Sequence, residues 1–179
     1  MRERNAISSI ALQFLVLTAC RTSEVLGASW DEIDLSTASW TIPGSRMKSG
    51  NQHRIPLSAR AVQLLEQVFQ VRTPVDGGFV FHRCNRSHLT VTALYKYVRS
   101  SGCPYTVHGF RSAFRDWCAE RTNYPSEVAE MALAHRVGSQ VKNAYRRTDM
   151  FERRRRLMAD WAAFCETPSA SAEVIAIRA

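Results

Sequence analysis

The sequence predicts a mainly α-helical α+β domain with a small antiparallel β-hairpin or sheet in its N-terminal third. Apolar residues recur at three- and four-residue spacing over most of the chain. One stretch, "ASWTIPGSRMKSGNQHRIPLS", breaks that period and reads as two short strands around a polar, glycine-containing connection. At 179 residues and 45% hydrophobic, the chain is long enough for one domain with a substantial core and too short for two large ones.

Each element follows from local pattern. Ile7, Ile10, Ala11, Phe14, Leu15 and Leu17 mark one face of a first helix, and "TSEVLGASW" gives a second that Thr22 or Ser23 caps, with Glu24 in its first turn and an end near Gly27. The strands are expected at 39–42 and 54–57. Ser58 begins an amphipathic helix through Val71 with Ala61, Leu64, Leu65 and Val68 on one side, and "TPVDGG" ends it before the apolar run "FVF". Thr90 or Thr92 opens a helix toward Ser100. Further helices are expected at 108–121, 126–134, 138–147 and 149–164. The tail from residue 166 changes character: its polar half resembles a linker, and "VIAI" has no obvious place in its own core.

Composition narrows the partners. Lys and Arg outnumber Asp and Glu by 24 to 16, and between Lys142 and Arg156 seven basic residues face only Asp149 and Glu152. Such a field concentrates polyanions and releases their counterions, which points to nucleic acid, although a solvated helix face would also account for it. No apolar run of membrane-spanning length occurs, and the N-terminus lacks the pattern of a signal peptide; the expectation is a soluble, intracellular protein without membrane contact. Five scattered cysteines, with no CxxC pair, argue against a disulfide framework or zinc ribbon.

The same inspection finds no Walker glycine loop, GxGxxG, GxSxG, HExxH or other close metal-ligand spacing, so neither metal nor cofactor is expected. Phosphate chemistry in this chain would rest on cationic side chains. His108 and Arg111, three apart at a helix start, project from one face toward first-turn amides that favour an anion. Arg21 leaves the apolar run "FLVLTAC" at a core edge and offers a bidentate fork; pairing with Glu24 explains it equally, and Glu24 serves either purpose by holding it. Lys48 sits in the hairpin connection beside Arg46, His53 and Arg54, where an ammonium suits protonation of a leaving alkoxide. His135 and Tyr145 complete the set. A Tyr hydroxyl attacks phosphate only with cations near both phenolate and phosphoryl oxygens, which Lys142, Arg146 and Arg147 help supply. Taken singly, each has a plainer explanation: a helix cap, a surface ion pair, a solubilising lysine or a half-buried aromatic.

In order, the segments resemble the catalytic domain of the tyrosine recombinases, the phage integrase family. "LTACRTSEVLGASWDEIDL" is similar to its first arginine motif, "SRMKSGNQHRIPLS" to its hairpin lysine motif, "HGFR" to its His-x-x-Arg motif, "LAH" to its second histidine and "NAYRR" to its nucleophile motif. "RMK", "IPLS" and "RRRRLMADWAAF" are most like integrases of prophages and genomic islands. The likeness covers roughly residues 5–165.

The resemblance implies that Arg21 and Arg111 clamp the scissile phosphate, with Glu24 orienting Arg21, and that Lys48 protonates the departing 5′-hydroxyl. His108 and His135 would bond the phosphoryl oxygens, and Tyr145 would form a 3′-phosphotyrosine. Arg46, His53, Arg54, Lys142, Arg146 and Arg147 would contact DNA. The partners implied are a double-stranded attachment site and three further protomers in a synaptic tetramer, in a bacterial cytoplasm. The chain alone would be monomeric or weakly associating. Where much of the family has glycine, this chain has Ala19 and Ala134, both small. The family's N-terminal arm-binding and core-binding domains have no counterpart here, so residues 1–165 are expected to be a catalytic fragment and 166–179 a tail that is disordered or exchanged between protomers. Two other readings are a non-cutting DNA-binding remnant and a type IB topoisomerase.

Overall fold

The computed structural model describes residues 2–71, 78–82, 87–135 and 148–167, with side chains from Ile7 onward. Helix α1 (Arg2–Thr18) buries Ile7, Ala11, Phe14 and Leu15, the face read from the sequence. Phe14 meets Trp40 and Phe81 with ring centroids 5.5 and 5.4 Å away. The helix stops because Ala19 adopts a left-handed conformation (φ 50°). After it comes α2 (Thr22–Leu26), ending at Gly27 as expected. Its cap is neither Thr22 nor Ser23. Arg21 is the N-cap residue, and its N–H donates to Glu24 Oε2 at 2.7 Å, so the glutamate folds back over its own helix start.

Three strands form one antiparallel sheet in the order β1 (Ile33–Asp34), β2 (Ser39–Ile42), β3 (His53–Pro56). Trp40 pairs with Ile55 and Ile42 with His53. The expected hairpin is therefore present, with its second strand one residue earlier and a two-residue edge strand added. That edge is too short to show alternation, and Asp34 Oδ1 closes the turn after it by accepting from Ser36 and Thr37 amides at 2.9 and 3.1 Å.

Helix α3 (Ala59–Val71) starts where Ser58 Oγ accepts from Ala61 N at 3.3 Å and buries the four residues predicted for it. Phe79 to Phe81 runs beside Ala28, to whose carbonyl Val80 N donates at 2.8 Å. Thr90 caps α4 (Val91–Ser100). Then come α5 (Gly109–Arg121), α6 (Ser126–Ala132) and α7 (Phe151–Glu166). The expected 138–147 helix and the tail beyond Thr167 lie outside the described residues.

Among the described residues, two apolar clusters result. The larger gathers α1, the sheet, α3 and α4 around Phe14, Trp40, Leu64, Phe81 and Leu94. The second packs α5, α6 and α7 around Phe114, Trp117, Val128, Leu133, Leu157 and Trp161, and Trp161 Nε1 donates to Val16 O at 2.8 Å. Cys20 belongs to the first and Ala19 to the second, so the chain passes between them just before Arg21. Among the described residues, no helix is long and apolar enough to cross a membrane.

Left-handed backbone costs an L-residue about 1–2 kcal/mol that glycine escapes. Ala134 also has φ 50° and is half-buried, whereas Ala19 is 1% exposed. Ala134→Gly should therefore raise the unfolding free energy by about 1 kcal/mol. Ala19→Gly should be near neutral, since it forfeits roughly 0.8 kcal/mol of buried methyl. Urea unfolding of the two variants measures both.

Candidate active site

At the junction of the two clusters, Arg111 is 7% exposed. Its Nη1 donates to Ala19 O at 2.6 Å and its Nη2 to Leu133 O, so one guanidinium joins the C-terminal ends of α1 and α6. Both ends carry orphan carbonyls and partial negative charge, which suits a buried cation. Burial first, and then the positive charge of Arg21, push the Arg111 pKa down. The two guanidinium groups therefore share one field.

Arg21 is held at both ends by one residue. Glu24 Oε2 accepts its backbone N–H, and Oε1 accepts its Nη1 at 2.7 Å; Glu24 is 4% exposed while the Arg21 side chain keeps 31%. Glu24 is thus a buried brace, and the arginine reaches toward solvent. His108 occupies the N-cap position of α5, exposed, one turn before Arg111. The amides expected to await an anion there are partly committed: Gly109 N donates to Thr106 O at 3.0 Å and Arg111 N to His108 O at 3.1 Å. His135 follows Ala134, with its Nδ1 2.7 Å from Glu130 Oε2.

Lys48 is exposed in a turn closed by Gly50 N donating to Met47 O at 3.0 Å. Gly44 lies so close to the Gly50 carbonyl that a Cβ there would collide with it. Arg46 anchors this loop: Nη1 pairs with Glu32, and Nη2 donates to Glu24 O at 2.6 Å beneath Gly27, whose own Cβ would meet it at 2.7 Å. Expected as a DNA contact, Arg46 is engaged inside the fold, tying the Lys48 loop to the helix that braces Arg21. Arg54 is engaged similarly, its guanidinium 3.6 Å from the Phe151 ring centroid and 3.5 Å from Asp149 Oδ2, though still 45% exposed.

His53 departs furthest from expectation. It is half-buried in β3, and its Nε2 is buried with no hydrogen-bond partner among the described residues. Desolvation, then Arg154 nearby, lowers its pKa to about 4. The sequence reading also passed over four residues that organise the site. Glu32 and Glu130 accept from Arg46 and Arg115, and Arg154, 2% exposed, donates to Arg54 O at 2.6 Å and to Asp149 O and Oδ2 at 2.8 and 3.1 Å. Only the density of arginines after Tyr145 hinted at the last. Tyr145, Lys142, Arg146 and Arg147 lie outside the described residues. Among the described residues, no group of three or more His, Cys, Asp or Glu is placed to hold a metal ion.

A helical domain with a three-stranded sheet, presenting Arg21, Arg111 and His135 from converging chain turns, is the catalytic-domain fold of the tyrosine recombinases. Solved structures bear this out: the integrase of mycobacterium phage Brujita superposes with a TM-score of 0.66 at 18% identity, covering 86% of this chain and 51% of that one. A lambda integrase (residues 75–356) dimer bound to a COC′ core site gives 0.55 at 19%, covering 73% and 50%. The phage integrase family model matches residues 2–152, and the chain belongs to that family. Prophage integrase IntA of Escherichia coli K12 is 36% identical over 154 residues, covering 82% of this chain and 36% of IntA. IntZ of the same strain is 34% identical over 155 residues, covering 85% and 38%. The chain thus spans little more than a third of the length of these two relatives.

His53 makes the stability of the fold depend on pH. Its pKa is about 4 folded against 6.5 for an ordinary histidine. Between those values the unfolded chain binds more protons, so stability falls as pH drops from about 6.5 to about 4 and levels off below. His53→Gln should remove that part of the slope, at most about 3 kcal/mol across the window. Urea unfolding at pH 7, 5.5 and 4 compares the two chains.

Proposed function

We propose that this chain carries out the strand cleavage and rejoining of a site-specific recombinase that integrates or excises a mobile element. The observation carrying the proposal is the placement of Arg21 and Arg111 in a shared field at the cluster junction, one braced by Glu24 and the other by two helix ends. Like charges held together by fold contacts are suited to an anion that joins them, and a scissile phosphodiester supplies one. Family membership and the matched motifs support the same reading.

In this mechanism the two guanidinium groups neutralise the non-bridging oxygens as charge builds in the transition state. The Tyr145 oxygen attacks phosphorus, and its proton passes to a histidine of the site. The bond to the 5′-oxygen breaks as Lys48 delivers a proton to it. A 3′-phosphotyrosine and a free 5′-hydroxyl result. The reverse sequence, with a different 5′-hydroxyl, rejoins the strand, and conservation of the ester bond removes any need for ATP. The partners proposed are duplex attachment-site DNA and further protomers, with four in the synapse, acting on chromosomal DNA in a bacterial cytoplasm.

Incubation at low salt with nicked duplexes spanning the junctions of the resident element should give a denaturation-resistant protein–DNA adduct. Tyr145→Phe should abolish it while leaving duplex binding intact. Arg21→Lys keeps charge but loses the fork, and should slow adduct formation by about 10²–10³-fold while weakening binding less than about tenfold. Salt-sensitive binding with no adduct would move the assignment to a DNA-binding remnant, and sequence-independent supercoil relaxation would move it to a topoisomerase.

A further inference from the structure

Glu130 and His135 are five residues apart, which on a continuous helix puts their side chains about 140° apart and out of reach. The end of α6 removes that separation. Leu133 N donates to Ala129 O at 3.0 Å, Ala134 N to Met131 O at 3.1 Å and His135 N to Glu130 O at 2.9 Å. Left-handed Ala134 makes this closing turn possible. His135 is thereby turned back over the helix, its Nδ1 2.7 Å from Glu130 Oε2. The other carboxylate oxygen accepts from Arg115 Nε at 2.5 Å, and Arg115 Nη2 donates to Ser126 Oγ at 3.2 Å. The chain Ser126–Arg115–Glu130–His135 runs across α5 and α6, and the Leu133 carbonyl of the same turn receives Arg111.

We infer that Glu130 is a positioning residue that fixes the proton of His135 on Nδ1, leaving Nε2 to act on the reacting phosphate, and that Arg115 holds Glu130 for this purpose. An ionised carboxylate only accepts hydrogen bonds, so the nitrogen it touches must carry hydrogen. Although desolvation opposes it, the bonds from His135 and Arg115 bring the Glu130 pKa below its ordinary value, and the carboxylate form persists. With that proton on Nδ1, His135 presents an acceptor at Nε2, suited to receiving a proton rather than to donating to a phosphoryl oxygen. The logic is that of an acid orienting an imidazole in nucleophilic catalysis. Glu130 on α6 is faced by Arg111, Arg115 and Cys118 on α5 and by His135. The inference rests on the reading of His135 as a site residue.

The test uses this chain with 15N-labelled histidine and long-range 1H–15N correlation at pH 8, the His135 signals being identified by their loss in His135→Gln. The expected result is an Nδ1–H ring in the wild type and an Nε2–H ring in Glu130→Leu. Glu130→Gln, of the same shape and still able to accept, should keep the Nδ1–H ring. On nicked duplex, adduct formation should fall about 100-fold in Glu130→Leu and about tenfold in Glu130→Gln, with DNA binding within about threefold. An Nε2–H ring in the wild type, or unchanged ring signals or adduct rate in Glu130→Leu, would overturn the inference. Absence of adduct from the wild type itself would count against the recombinase reading, while the ring signals still decide where the proton sits.

Discussion

The architecture depends on one buried cation satisfying two helix ends. Arg111 donates to the carbonyls of Ala19, the left-handed alanine that ends α1, and of Leu133, which precedes left-handed Ala134 at the end of α6; both residues are 1% exposed. Without a donor, two desolvated carbonyls would remain at the contact between the clusters, each costing about 1–3 kcal/mol. With it, the segments leading to Arg21 and to His135 emerge from the same place. The residue proposed to bind phosphate is also the one that brings its companions together, so the geometry of the site follows from a requirement of folding.

A second set of arginines aligns the remaining parts. Arg46 runs from the Lys48 loop to Glu32 and to the Glu24 carbonyl, linking the loop to α2. Arg154 runs from α7 to the β3 backbone and to Asp149, linking the chain just after Tyr145 to the strand containing His53. Arginine suits these places because its planar fork satisfies two or three acceptors with one charge. The basic excess of the sequence thus goes partly to internal bracing. Arg46 and Arg54 are the residues for which this matters most.

Much of the fold was legible because its signals are local. The apolar face of α1, the stop near Gly27, the strand at 39–42 and a threonine start for α4 all depend on residues within a turn or two of one another; the structure has the first three where the pattern put them and takes Thr90, of Thr90 and Thr92, as the cap. The family motifs likewise pointed to Arg21, Glu24, Arg111 and His135, whose chain segments meet around the Ala19 and Leu133 carbonyls. What was not legible depends on tertiary approach. Glu32 meets Arg46 from fourteen residues away and Glu130 meets Arg115 from fifteen. His53 reads as a surface cation beside Lys48 and Arg54, yet strand alternation turns it inward while Arg54 points out. Ala19 and Ala134 drew notice only as small residues where glycine was expected; their positive φ gives the physical reason for that expectation.

The measurement that bears most directly on this account is the urea-unfolding free energy of Arg111→Lys. A lysine keeps the buried charge but lacks the rigid fork whose two nitrogens each meet one carbonyl. The account predicts a loss of about 2–4 kcal/mol. A loss below about 0.5 kcal/mol would contradict it, showing that the two helix ends stay together without the arginine fork.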